Sequence, residues 1–110
     1  MTRVPGIRQR LSKEPLIRLD TARGPHLVRI VGGRPVVHQL LCPHRGALLA
    51  DAYVVGDLVI CSWHRSTFRC ADGRRMYGPA DRGIEVVPAR FDGGDLIIEW
   101  PVEPDSGDGI

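Results

Sequence analysis

Cys42-Pro43-His44 and Cys61-Ser62-Trp63-His64 each set a thiol close to an imidazole, with 16 residues between His44 and Cys61. A cysteine thiolate is a soft metal ligand and a neutral imidazole suits zinc, copper and iron. The two pairs together offer two sulfurs and two nitrogens. Zinc accepts such a set in a tetrahedron. Common zinc modules, however, pair cysteine with cysteine in one knuckle and histidine with histidine in the other. Here both knuckles are mixed. A mixed pair in each loop can also sort by type across two metal atoms, with both sulfurs on one and both nitrogens on the other.

The elements that must hold these residues read as short strands. Period-two stretches are separated by turn dipeptides. His26 to Val31 and Pro35 to Leu41 flank Gly32-Gly33, and the runs Ala52 to Val55 and Leu58 to Cys61 flank Gly56-Asp57. Asp72-Gly73 lies inside Arg69 to Met76, and Asp92-Gly93-Gly94 separates the run Gly83 to Phe91 from Asp95 to Trp100. Each reads as a hairpin turn. Only Arg45 to Asp51 and Pro79 to Arg82 are left for a helical turn. Each Cys/His pair therefore follows a strand, which gives the ligands a rigid base.

Composition supports an all-β domain. The chain has 110 residues, with 13 glycines and 9 prolines but only 5% aromatic residues. That length suits one domain with one core, 1–110, built on valine, isoleucine and leucine. No apolar stretch approaches a membrane span, and Met1 to Arg10 has charge with no apolar segment behind it. A cytoplasmic protein is the expectation. Three cysteines, Cys42, Cys61 and Cys70, make an odd count that favours a metal or redox role over a disulfide framework. Cys70 reads as a packed thiol, and His26 and His38 as ordinary strand residues. The net charge is +2, and the last ten residues hold Glu103, Asp105 and Asp108 with no base, so the body is more basic than the total. No nucleic-acid module or aromatic stacking platform accompanies that charge, so nucleic acid is not the expected partner. The Pro/Gly/acid-rich tail 101–110 reads as disordered.

With their flanks, Cys42-Pro43-His44-Arg45-Gly46-Ala47 and Cys61-Ser62-Trp63-His64 resemble the two cluster-binding boxes of Rieske-type ferredoxins and of the Rieske domains of ring-hydroxylating oxygenases. Gly78-Pro79-Ala80 is similar to the proline loop that shields the cluster in that family. The likeness runs from His26 to Trp100. It implies an antiparallel β-sandwich or barrel base with a cluster-binding subdomain inserted over about 39–82. It implies one [2Fe–2S] cluster per chain, held by Cys42, His44, Cys61 and His64. It also implies a one-electron carrier that takes electrons from a flavin-dependent reductase and passes them to a terminal oxygenase, with no catalysis of its own.

Two ferric ions, two sulfides, two thiolates and neutral imidazoles add to zero charge, and one electron makes the centre singly negative. A four-cysteine cluster starts more negative and is harder to reduce. Rieske potentials accordingly span about −150 to +300 mV, against about −400 mV for plant-type clusters. In high-potential members of the family a disulfide and hydroxyl donors surround the cluster. Here the disulfide positions read Ala47 and Trp63 and the tyrosine position reads Phe68, which points to the low end. Ser66 matches the serine donor position.

One departure stands out. The family places glycine after the second-box histidine, where this chain has Arg65. Either the backbone angle there is ordinary or the arginine carries strain. Arg45, Arg65, Arg69, Arg74 and Arg75 could form a docking patch or a solvated face. Trp63 reads as an apolar lid. Two alternatives stay open: an electron-transfer small subunit, as of a nitrite reductase or a detached oxygenase domain, and a structural Cys2His2 zinc module. An oxygenase centre needs two histidines and a carboxylate, and only His26 and His38 remain.

Overall fold

A computed structural model describes residues 1–43, 46, 48–62, 65–78, 80 and 82–100. Among the described residues, eleven strands, one short helix and one 3-10 turn follow in the order β1 (Thr2–Val4), α1 (Ile7–Leu11), β2 (Leu16–Thr21), β3 (Gly24–Val31), β4 (Arg34–Gln39), a 3-10 turn (Leu49–Asp51), β5 (Tyr53–Val55), β6 (Leu58–Ile60), β7 (Thr67–Arg69), β8 (Arg75–Tyr77), β9 (Val86–Val87), β10 (Ala89–Asp92) and β11 (Asp95–Ile98). They form three antiparallel sheets, ordered β1-β11-β10, β2-β3-β4-β9 and β5-β6-β7-β8. The expected all-β class is what the chain adopts. Among the described residues no helix is long and apolar enough to cross a membrane.

All four expected hairpin turns join paired strands: β3 to β4, β5 to β6, β7 to β8 and β10 to β11. Two local expectations need correction. The run Gly83 to Phe91 is not one strand. It divides at Pro88 into β9, which pairs with β4, and β10, which pairs with β11. Proline has no N–H to give to a ladder, so the chain changes sheets there. The second correction is α1, which lies outside the two segments reserved for helical turns. Its Ile7 and Leu11 are both buried at an i, i+4 spacing, and the Arg8 N–H donates to Gly94 O at 3.1 Å, tying it to the β10–β11 turn.

The middle sheet divides the interior. On the β3–β4 ladder Leu27 opposes His38, Val28 opposes Val37 and Arg29 opposes Val36. Directly opposed side chains share a face, and neighbours along a strand alternate. Val28 and Val37 thus pack with Ile7, Ile17, Leu96 and Ile98 toward the terminal sheet. Leu27 and Val36 face the other way and join Cys42, Leu49, Val59, Cys61 and Phe68. Arg29 and His38 share that second face. The terminal sheet is clamped by charge as well: Arg3 reaches Asp92 at 2.6 Å and Asp95 at 2.8 Å.

Candidate metal centre

The two cysteines open two turns of the same construction. Cys42 stands three residues after β4, and Cys61 directly follows β6. The Gly46 N–H donates to Cys42 O at 3.0 Å, and the Arg65 N–H donates to Cys61 O at 3.1 Å. In each loop the residue four positions on from the cysteine adopts a left-handed backbone, Gly46 at φ 69° and Arg65 at φ 63°. The alternative left open at Arg65 is thereby decided: its angle is left-handed, and among the described residues it is the one non-glycine with positive φ.

Each loop is also closed at its base. The first is pinned by the Leu41–Leu48 bridge and by Leu49 N–H donating to Leu40 O at 2.8 Å. The second is closed by Cys61 N–H donating to Ser66 O at 2.8 Å. The sequence places His44 and His64 inside these closed spans. Both lie outside the described residues, as do Arg45, Ala47, Trp63, Pro79 and the tail 101–110.

Cys42 and Cys61 are fully buried in one apolar cluster. None of the three cysteines is in a disulfide. Two buried sulfurs outside any disulfide, at matched turns in one apolar cluster, suit a thiolate-bound iron. The donors present therefore fit a cluster with two cysteine ligands. Among the described residues no three histidine, cysteine or acidic side chains gather as a separate metal site. Cys70 is buried in the same cluster, and burial raises its thiol pKa above the ordinary value, which keeps it protonated and unreactive.

A third loop closes over the second. Gly78 has φ 97°, and a Cβ built there would lie 2.5 Å from Ser66 Cα. Only glycine allows that approach. The Ala80 N–H donates to Ser66 Oγ at 3.1 Å, with both groups buried. Ser66 thus supports the third loop, while no acceptor among the described residues takes its own hydroxyl proton.

Outside the turns, Arg65 sits over the ring of Tyr53 at 5.9 Å. Together with Val54, Val55 and Ile60 they line an open groove of about 400 Å³ beside the second loop. Of the arginines read as a docking patch or a solvated face, Arg69 is forked onto Asp72 and Arg75 donates to Gly78 O at 3.1 Å. The Arg69 hydrogen bonds first, then the Arg74 N–H, bring the Asp72 carboxyl down to about 2.

His26 and His38 are both satisfied structurally. His26 contacts Glu85 at 2.9 Å and Gly24 O at 3.1 Å and meets Trp100 edge-on. His38 hydrogen bonds Gln39 O through Nδ1 at 2.8 Å and accepts the Arg29 Nε–H on Nε2 at 3.2 Å. Arg29 in turn donates to Leu49 O at 3.0 Å, in the stretch that closes the first loop. Sequence reading did not single out Arg29. The signal was an arginine amid an otherwise apolar strand run.

The family model for the Rieske [2Fe–2S] domain matches residues 13–88. The chain is 26% identical over 89 residues to the biphenyl 2,3-dioxygenase ferredoxin component of Rhodococcus jostii RHA1, covering 81% of this chain and 83% of that one. Among solved structures it is similar to the Sphingomonas yanoikuyae B1 ferredoxin, at 26% identity and a TM-score of 0.70, over 79% of this chain and 86% of that one. The complex of reduced oxygenase and oxidised ferredoxin in carbazole 1,9a-dioxygenase shares the fold at 22% identity and a TM-score of 0.69, over 80% of this chain and 84% of the matched one.

Proposed function

Because the chain belongs to the Rieske [2Fe–2S] domain family, and so binds one [2Fe–2S] cluster, we propose that Cys42, His44, Cys61 and His64 are its ligands and that it serves as the ferredoxin of a ring-hydroxylating oxygenase system. The observation that carries this is the matched pair of turns that buries two cysteines, neither in a disulfide, in one apolar cluster. In this reading segment 39–82 is the cluster-binding unit, inserted between the strands of the base. The two thiolates would hold one iron and the two imidazoles the other.

When bound, the cluster accepts and releases a single electron. The chain's own residues bury the sulfurs, hold the loops and leave an exit. The Gly46 and Arg65 turns fix the direction in which each loop leaves its cysteine. Gly78 and Ala80, fastened on Ser66, cover the second loop. His44 and His64 offer the imidazole edges through which the electron leaves. The groove of Tyr53, Val54, Val55, Ile60 and Arg65 lies beside His64 in sequence and gives a terminal oxygenase an apolar surface with a cation at its rim. A flavin-dependent reductase supplies the electron. The chain performs no catalysis of its own and works in the cytoplasm.

Iron and acid-labile sulfide counts on anaerobically purified protein test the ligand set. The reading expects two of each per chain, and their loss in Cys42→Ser, Cys61→Ser, His44→Ala and His64→Ala. Stopped-flow mixing of the reduced protein with a ring-hydroxylating oxygenase tests the role, with reoxidation at oxygenase-dependent rates as the expected result. Zinc in place of iron, resistant to reconstitution, would return the structural-module reading.

A further inference from the structure

Arg29 is a cation buried on the face of the middle sheet that meets the cysteine loops. Its neighbours on that face, Leu27 and Val36, pack in the cluster that contains Cys42 and Cys61. Its guanidinium is fixed on two sides, by His38 Nε2 at 3.2 Å and by Leu49 O at 3.0 Å. Neither acceptor carries a negative charge. His38 spends its Nδ1–H on Gln39 O, which leaves the Nε2 lone pair for Arg29. Burial and Arg29 itself hold that imidazole neutral, with its pKa lowered to about 4. The nearby Cys70 thiol is kept protonated by burial.

Among the described residues no carboxylate reaches Arg29, and an arginine does not shed its proton to escape burial. A buried charge without a counter-charge is costly. In the bound state one partner changes charge on the same side of the sheet. The cluster with its four ligands is neutral when both irons are ferric and singly negative after one electron has reduced one of them.

Resting on the ligand reading above, we propose that Arg29 is a fixed internal cation that favours the reduced cluster, positioned by the neutral His38 and the Leu49 carbonyl. The electron comes from the reductase and no proton moves at Arg29. The arginine acts through space and touches no reacting atom, so it is a positioned charge and not a catalytic residue. It would offset the two sequence features that point to a low potential, Ala47 and Trp63 at the disulfide positions and Phe68 at the tyrosine position.

The test is a mediator-coupled reductive titration of the cluster-loaded protein, followed by visible bleaching, for the wild type and for Arg29→Gln, Arg29→Lys and Arg29→Met. Glutamine keeps a donor without the charge, and lysine keeps the charge. The expected result is that Gln and Met lower the equilibrium constant for reduction about tenfold, which is about 59 mV for one electron, while Lys stays near wild type. Iron content and the visible spectrum of each variant are read in parallel. Equal shifts in Gln and Lys, or a Gln variant at the wild-type potential, would overturn the proposal and leave Arg29 as a strut between sheet and loop. If Met fails to fold, the Gln and Lys pair still decides. A failure of the ligand reading would appear earlier and separately, as a wild-type protein without cluster iron.

Discussion

The Arg65 N–H donates to the Cys61 carbonyl at 3.1 Å, and Arg65 holds φ 63° to do so. Its counterpart at the first loop is Gly46, which takes the same angle with no Cβ to crowd the following carbonyl. The arginine bears the strain in exchange for a side chain that covers Tyr53 at 5.9 Å. A left-handed angle costs a non-glycine residue about 1–2 kcal/mol, and an exposed cation–π contact returns about 0.5–1 kcal/mol.

Arg65→Gly should therefore leave stability equal or slightly higher. Arg65→Val, with a β-branched side chain at positive φ, should lose about 1–2 kcal/mol relative to the glycine variant. Thermal melts of the two variants give the comparison. A valine variant as stable as glycine would mean the turn relaxes.

Gly78 admits no such tolerance. A Cβ there meets backbone at Ser66, and φ is 97°. Gly78→Ala should cost about 1–3 kcal/mol from overpacking alone and should accelerate loss of cluster iron on air exposure. Melting temperature and timed iron release are the readouts.

Ser66→Ala strips the buried Ala80 N–H of its acceptor. Leaving that donor unsatisfied costs about 1–3 kcal/mol. The same substitution should lower the reduction potential, because the hydroxyl proton that Ala80 does not use is the donor the family places near cluster sulfur. Cysteine at the position, which restores only a weak donor and acceptor, should recover part of both losses.

His38 gives the fold a pH dependence. Its pKa falls from 6.5 to about 4 through burial, with the Arg29 charge adding to the effect. The unfolded chain binds a proton at this site below pH 6.5, and the folded chain resists it down to about 4. Stability from this group is therefore complete above the upper value and lost progressively as pH falls to the lower one. The loss approaches roughly 3 kcal/mol at about 1.4 kcal/mol per unit. His38→Gln, which can still accept the Arg29 Nε–H, should flatten that window in urea melts. Unchanged pH slopes in the variant would assign the dependence to other groups.

Much of the fold could be read from punctuation. Gly32-Gly33, Gly56-Asp57, Asp72-Gly73 and Asp92-Gly93-Gly94 each end one strand and start its antiparallel neighbour, because turn chemistry is local. The split at Pro88 was legible in principle, since proline cannot donate to a ladder. Ile7–Leu11 is too short for its i, i+4 pair to register as a period. The cysteines were marked by type and spacing. The Arg29–His38 contact was not, because nine residues separate the pair and only the β3–β4 register brings them to one face. The angle at Arg65 was likewise undecided, since sequence gives a residue's preference and the turn gives its conformation.

The central claim, a [2Fe–2S] centre that carries one electron, is tested most directly by the visible absorption of anaerobically purified protein before and after dithionite. Broad sulfur-to-ferric bands that bleach on reduction and return in air are the predicted result. A colourless protein that contains zinc, and gains no such bands when iron and sulfide are supplied, would contradict it.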